Sequence, residues 1–118
     1  MGKMLVVVQG EWVAPRFDLA TEVLLAAADR GRAEGDIREI LLPGPSAEEM
    51  CGLIVKEGVT LVVCGGIEEE HYQYLCWKGV MVLDRVIAPA KQALELAAGG
   101  RLAAGAVLRQ TVSGEGRP

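Results

Sequence analysis

The residues best equipped for chemistry stand close together. They are Cys64, the Gly65-Gly66 pair after it, the carboxylate run Glu68-Glu69-Glu70, and His71, the single histidine of the chain. Thiolate and imidazole are natural ligands for iron–sulfur clusters and borderline metals. Cys64 closes the apolar run Thr60-Leu61-Val62-Val63, which reads as a fully buried strand, and Glu68 to Lys78 reads as a helix. Gly65 and Gly66 allow the backbone to leave the strand in conformations that other residues resist. In open α/β sheets, ligands sit at such strand–turn–helix junctions, outside the carboxyl ends of the strands. Cys64 and His71 are therefore candidate metal ligands, and Cys64, Gly65, Gly66 and His71 candidate binding residues of one crevice.

Each of these residues also has a plainer role. Cysteine is among the most buried residue types, so Cys64 is equally a small apolar side chain at a strand end. A lone histidine beside glutamates is often only a solvated surface group. Acidic side chains suit the positive end of a helix dipole, by about 0.3–1 kcal/mol each at an exposed site. They also stand where a phosphate would bind, which makes Gly65-Gly66 a poor phosphate loop. A hard cation is a third possibility, although adjacent helical residues do not all face one point. Cys51 and Cys76 lie on apolar helix faces and read as packing residues. With three cysteines and no Cys-x-x-Cys pair, a conventional four-cysteine cluster or structural zinc site within one chain is not expected.

The elements that must hold these groups follow from the hydrophobic pattern. Met4 to Gln9 is a β-branched run and a central strand. Gly10 to Asp18 is a loop punctuated by Pro15. Thr21 to Ala28 reads as a strand, because Asp29 to Arg32 resembles a hairpin turn leading into a strand over Ile37 to Leu42. Ser46 followed by Glu49 is a capping box, and Ala47, Met50, Cys51 and Ile54 form one apolar helix face that ends at Gly58. The strand to Cys64, the helix to Lys78, a short strand over Val80 to Leu83 and a last helix opened by Pro89 complete the order β-β-β-α-β-α-β-α. Three early strands joined by tight turns make an antiparallel meander, and the later ones alternate with helices as parallel crossovers. The expected fold is thus α/β, a mixed five-stranded sheet with helices on its faces. Residues 1–104 form a single domain, and residues 105–118 a C-terminal tail, mobile or engaged in an oligomer contact.

The chain has 118 residues, 51% of them hydrophobic and 24% charged, which suits one globular domain. A formal charge of -4 argues against a general nucleic-acid binder. No apolar stretch approaches the roughly 20 residues that span a bilayer. The N-terminus reads as a strand rather than a signal peptide, and unpaired cysteines suit a reducing compartment, so the expected location is cytoplasmic. Tyr74, Trp77 and His71 fall off the apolar face of their helix. Exposed aromatics of this kind mark a self-association surface, extended by Trp12 if its loop folds over the crevice, or by residues 106–112 as an added edge strand.

The ordered set Gly10-x-x-Val13-Ala14-Pro15-x-Phe17-Asp18, Cys64-Gly65-Gly66-Ile67 and Gly79-Val80-Met81-Val82 resembles the dinitrogenase iron-molybdenum cofactor biosynthesis domain family, the NifX-like proteins. The likeness runs from about Met4 to Leu102. It implies a ribonuclease-H-like three-layer fold and a non-catalytic carrier or accessory factor for an iron–sulfur or iron–molybdenum cluster precursor, with metallocluster assembly proteins as partners. The chain departs from the family pattern at Glu68-Glu69-Glu70 and from Asp84 to Pro89, both at the mouth of the crevice. Nuclease chemistry is not expected of this architecture here. Gln9 and Gly10 stand where a two-metal site needs an acid, and Asp18 and Asp84 lack further carboxylate partners. The alternative function is a dimeric interaction or regulatory module with no bound cofactor.

Overall fold

A computed structural model describes residues 2–29 and 32–108. The uninterrupted apolar run after Lys3 becomes β1 (Gly2–Gln9), in which Leu5, Val6 and Val7 are wholly inaccessible. Such a run can be satisfied only when both faces of the strand are covered. Around it stand β2 (Trp12–Val13), β3 (Glu22–Asp29), β4 (Arg32–Leu41), β5 (Leu61–Val63) and β6 (Met81–Leu83), with helices α1 (Ala47–Lys56), α2 (Glu69–Trp77) and α3 (Ala90–Ala98). The sheet order is β4-β3-β1-β5-β6, and β2 pairs with β1 off this path. β3 is antiparallel to β1 and β4, while β5 and β6 run parallel to β1.

The two-residue period of the strands divides the core in two. Leu5, Val7, Val23, Leu25 and Val62 face Met50, Ile54 and Leu75 of α1 and α2. Met4, Val6, Val8, Leu24 and Val63 face Ala90, Ala93, Leu94 and Ala97 of α3. The alanines of α3 let it lie close to the sheet. The result is three layers, helix–sheet–helix, and no described helix is long and apolar enough to cross a membrane.

Most expected elements are present, with three corrections. The sheet has six strands rather than five, because Gly10 takes a left-handed turn (φ 64°) that returns Trp12 and Val13 to pair with Gln9 and Val8. The last meander strand begins at Arg32 instead of Ile37. Leu25 pairs with Arg38 but Ala27 with Glu34, so β4 absorbs its polar residues in a bulge around Gly35 (φ 70°). Third, the tail does not begin loosely at residue 105: Gly105 N–H donates to Asp84 O at 2.8 Å, and Val107 forms a parallel bridge with Ile87. The proposed turn at Arg30-Gly31, and the part of the tail from 109 to 118, lie outside the described residues.

Local signals hold where they were strongest. Ser46 Oγ accepts the Glu49 N–H at 3.1 Å, and Gly58 (φ 70°) follows the end of α1. Thr21 to Ala28, alanine-rich as it is, belongs to strand β3 from Glu22 onward, paired along β1 from Val8 to Gly2.

Candidate functional site

The carboxyl ends of β1, β5 and β6 meet at one edge of the sheet, and the loops leaving them converge there. Gly65 and Gly66 are at the centre of this convergence. Gly66 N–H donates to Pro15 O at 2.7 Å, Phe17 N–H to Gly66 O at 2.9 Å, and Arg85 N–H to Gly65 O at 2.8 Å. A Cβ on Gly65 would lie 2.7 Å from Pro15 O, 2.8 Å from Pro15 C, and closer still to Ala14 O. On Gly66 it would come within 3.3 Å of Pro15 O. Neither glycine has the positive φ that would demand it. The reason for glycine is therefore close passage of three backbone segments, not the conformational freedom expected from the sequence. The pair is a seam between loops.

Cys64 lies immediately below this seam. Its N–H donates to Leu83 O and its C=O accepts from Val86 N–H, both at 3.1 Å. The side chain has no solvent exposure and belongs to the core cluster of Phe17, Met50 and Leu75. Burial, reinforced by the Asp84 carboxylate, pushes its thiol up to about 12. A thiol so placed stays protonated at neutral pH and is not presented to a ligand. The expectation that Cys64 forms the last side chain before the crevice is corrected on position. β5 ends at Val63, and the Cys64 side chain that follows turns into the core rather than towards the rim. Cys51 is likewise buried, and burial raises its thiol; Cys76 is exposed.

His71 sits in the first turn of α2 with its side chain 17% exposed. Its Nε2 is 3.6 Å from Glu68 Oε1, and its ring packs against Phe17 with centroids 6.2 Å apart. The structure thus brings His71 to the seam beside Glu68 and Phe17, while the Cys64 sulfur faces the interior. No group of three or more histidine, cysteine or acidic residues placed to hold a metal is found among the described residues.

Other polar groups complete the rim. Arg16 donates through Nε and Nη2 to both Asp18 oxygens at 3.0 and 2.8 Å, and this paired contact holds the Asp18 carboxyl below its ordinary range. Across the seam, Ile67, Glu69, Tyr72, Asp84 and Arg85 line a cavity of about 250 Å³. The neighbouring Cys76 thiol, then burial, push the Tyr72 phenol up. Arg85 is the one non-glycine residue with positive φ (57°) among the described residues, and its side chain is 70% exposed. Left-handed backbone costs a residue with a Cβ about 1–2 kcal/mol. Sequence reading missed Arg16, Tyr72 and Arg85 as site residues. A left-handed arginine carries no sequence mark, and Arg16 acquires its position only through the Arg16–Gly66 bridge.

By sequence, no family profile matches the chain and no curated protein is significantly similar to it. Solved structures do share its fold. The crystal structure of PH0822 superposes with a TM-score of 0.75 at 14% identity, over 84% of this chain and 90% of that one. A "putative dinitrogenase" of Methanocaldococcus jannaschii gives 0.70 at 20% identity, over 86% and 92%. A "putative NifB protein" from Thermotoga, of the DUF35 family, gives 0.66 at 16% identity, over 94% and 100%. The chain therefore has the three-layer α/β fold of these proteins across nearly its whole described length.

Proposed function

We propose that this chain is a non-catalytic accessory protein of metallocluster biosynthesis, working by binding at the rim formed around the Gly65-Gly66 seam. The observation that carries this reading is the convergence of His71, Glu68, Arg16, Asp18, Asp84 and Arg85 at the carboxyl ends of three parallel strands. The fold likeness to proteins named for dinitrogenase and NifB supports the metallocluster setting. A finer assignment, the ribonuclease-H-like fold, goes with it. With β2 set aside, the strands stand in the order 3-2-1-4-5, and only the second runs against the rest.

The donor set limits the cargo. With Cys64 sealed and protonated, the residues that form the rim offer one imidazole and several carboxylates, and an exposed thiol, Cys76, stands only beyond Tyr72, one helical turn further along α2. These residues do not fit a cluster whose irons the chain itself must ligate. They fit a preassembled cluster that arrives with its own sulfide and thiolate ligands and needs one imidazole for capture. The test is titration with a preformed four-iron cluster carrying exchangeable thiol ligands, followed by absorption and EPR under anaerobic conditions. Wild type and Cys64→Ala should both perturb the cluster spectrum, whereas His71→Ala should not. A wild-type chain that leaves the spectrum unchanged removes cluster cargo, and loss of binding in Cys64→Ala would make the thiol a ligand after all.

One observation favours a second reading, a dimeric interaction module without cargo. Trp77 is 78% exposed on α2, flanked by Tyr74, with the Lys78 ammonium 4.9 Å from the indole centroid. Trp12 does not extend this patch, because it bridges to Pro89 instead. Of residues 106–112, suggested as an added edge strand, Ala106 and Leu108 already bond Ile87 of the same chain, and 109–112 lie outside the described residues. Sedimentation of wild type against Trp77→Ala separates the readings: a monomer in both would leave the patch without a self-association role.

A further inference from the structure

A cavity of about 580 Å³ lies on the α3 side of the sheet, lined from the end of β1, from β3 and β4 and from the start of α3. Its apolar floor is Val8, Leu24 and Ala90, and its charged lining is Glu11, Glu22 and Glu39 against Lys91. None of these four charges has an ion-pair partner among the described residues. The cavity opens towards β4, the terminal strand of the sheet, where Leu41 is 71% exposed and Ile37 is also exposed. Glu39 lies opposite Leu24, and Leu41 opposite Glu22, so the α3 side of this edge reads acidic then apolar over Glu39 and Leu41.

The backbone of the edge is available too. Leu42 N–H donates to Thr21 O at 2.8 Å, which fixes the phase of the ladder. Ile40 and Arg38 therefore turn their backbone groups to β3, and Leu41 and Glu39 turn theirs outward. An extended segment can add to such an edge through main-chain hydrogen bonds, with alternate side chains read by the neighbouring groove.

We propose that the β4 edge and its groove dock an extended cationic segment of a partner protein, whose groove-facing residues, every second one along the strand, include a basic and then an apolar side chain. Charge selects this occupant. Three uncompensated carboxylates against one lysine favour a cationic strand, and opposite charges directly across a ladder attract while like charges repel. A second copy of this chain is a poor occupant, since it brings the same carboxylates and a net charge of -4. On the face of the docked strand that meets the groove, a basic side chain lies opposite Glu39 and within reach of Glu22, and two residues along an apolar one lies opposite Leu41.

The test uses the full chain and three synthetic peptides: one built on Val-Ser-Lys-Ser-Val, one built on Val-Ser-Glu-Ser-Val, and one with the lysine composition but interrupted by prolines. Binding is followed at low salt by amide chemical shifts. The lysine peptide should bind saturably, with shifts at Glu22 to Leu24 and Ile37 to Leu42, and at least about tenfold more tightly than the other two. In the Glu22→Lys/Glu39→Lys chain the preference should invert towards the glutamate peptide, and its native shift dispersion shows that it has folded. Equal binding of all three peptides, no binding, or shifts confined elsewhere would overturn the proposal. So would binding that appears only after residues 109–118 are deleted, because the chain's own C-terminus would then be the occupant.

Discussion

Gly65→Ala is the substitution that most directly tests how the site is assembled. The new methyl carbon would enter the space of Ala14 O and lie 2.7 and 2.8 Å from Pro15 O and C, all of them backbone atoms that cannot rotate away. Two responses are open. If the loops hold, overpacking costs about 1–3 kcal/mol. If they part, the Gly66–Pro15, Phe17–Gly66 and Arg85–Gly65 backbone bonds are stretched or lost, at about 1 kcal/mol each. Against this stands a gain of about 0.4–1 kcal/mol from a less flexible unfolded chain, because the φ of Gly65 is not in the left-handed region. The net expectation is a loss of about 1–2.5 kcal/mol, a sizeable part of the roughly 5–15 kcal/mol that a domain of this kind possesses. Urea unfolding with an unchanged m-value measures it. Gly66→Ala, meeting one atom at 3.3 Å, should lose less, and Gly44→Ala, which faces open space, should lie within about 0.5 kcal/mol of wild type. If Gly65→Ala is as stable as Gly44→Ala, the seam does not hold the loops together and the account of the rim is wrong.

Three further outcomes follow from the same geometry. Native-state alkylation should modify Cys76 and spare Cys51 and Cys64, so Cys76→Ser should abolish fast labelling; rapid modification of Cys64 would contradict its burial. The folded Cys64 thiol titrates near 12 against an ordinary 9.0, so its contribution is complete below pH 9 and is lost as pH rises towards 12. Wild type should therefore lose up to about 1.4 kcal/mol per pH unit more than Cys64→Ala between pH 9 and 11, and parallel stability curves would refute the shift. Arg85→Gly should stabilise by up to about 1 kcal/mol, since relief of left-handed strain outweighs loss of an exposed 3.5 Å contact with Asp84. A drop in the urea midpoint would show that the arginine side chain supports the fold.

The sequence by itself determined the layers. Periodicity identified β1, β3, β5, β6 and the three helices, because burial of alternate or every-fourth residues leaves a pattern that survives without coordinates. The capping serine at 46 and the glycine at 58 were legible for the same local reason. It also marked the junction at residues 64–71 as the place to look, and the loops do converge there.

Tertiary structure alone decided what the junction is made of. Whether a cysteine at a strand end faces solvent or the core depends on one residue of register and on the loop laid over it, and neither is written in the apolar run. The sulfur of Cys64 is sealed because Ala14 to Phe17 crosses above it, and that crossing needs Gly65 for clearance rather than flexibility. The bulge at Gly35 and the left-handed Arg85 were hidden likewise, since each is imposed by pairing with another segment, and so was the short β2, a tight return onto β1 whose other side bonds Ala88 far along the chain. Contacts within a few residues leave a signature in composition; contacts between loops far apart in the chain are fixed only when the sheet brings them together.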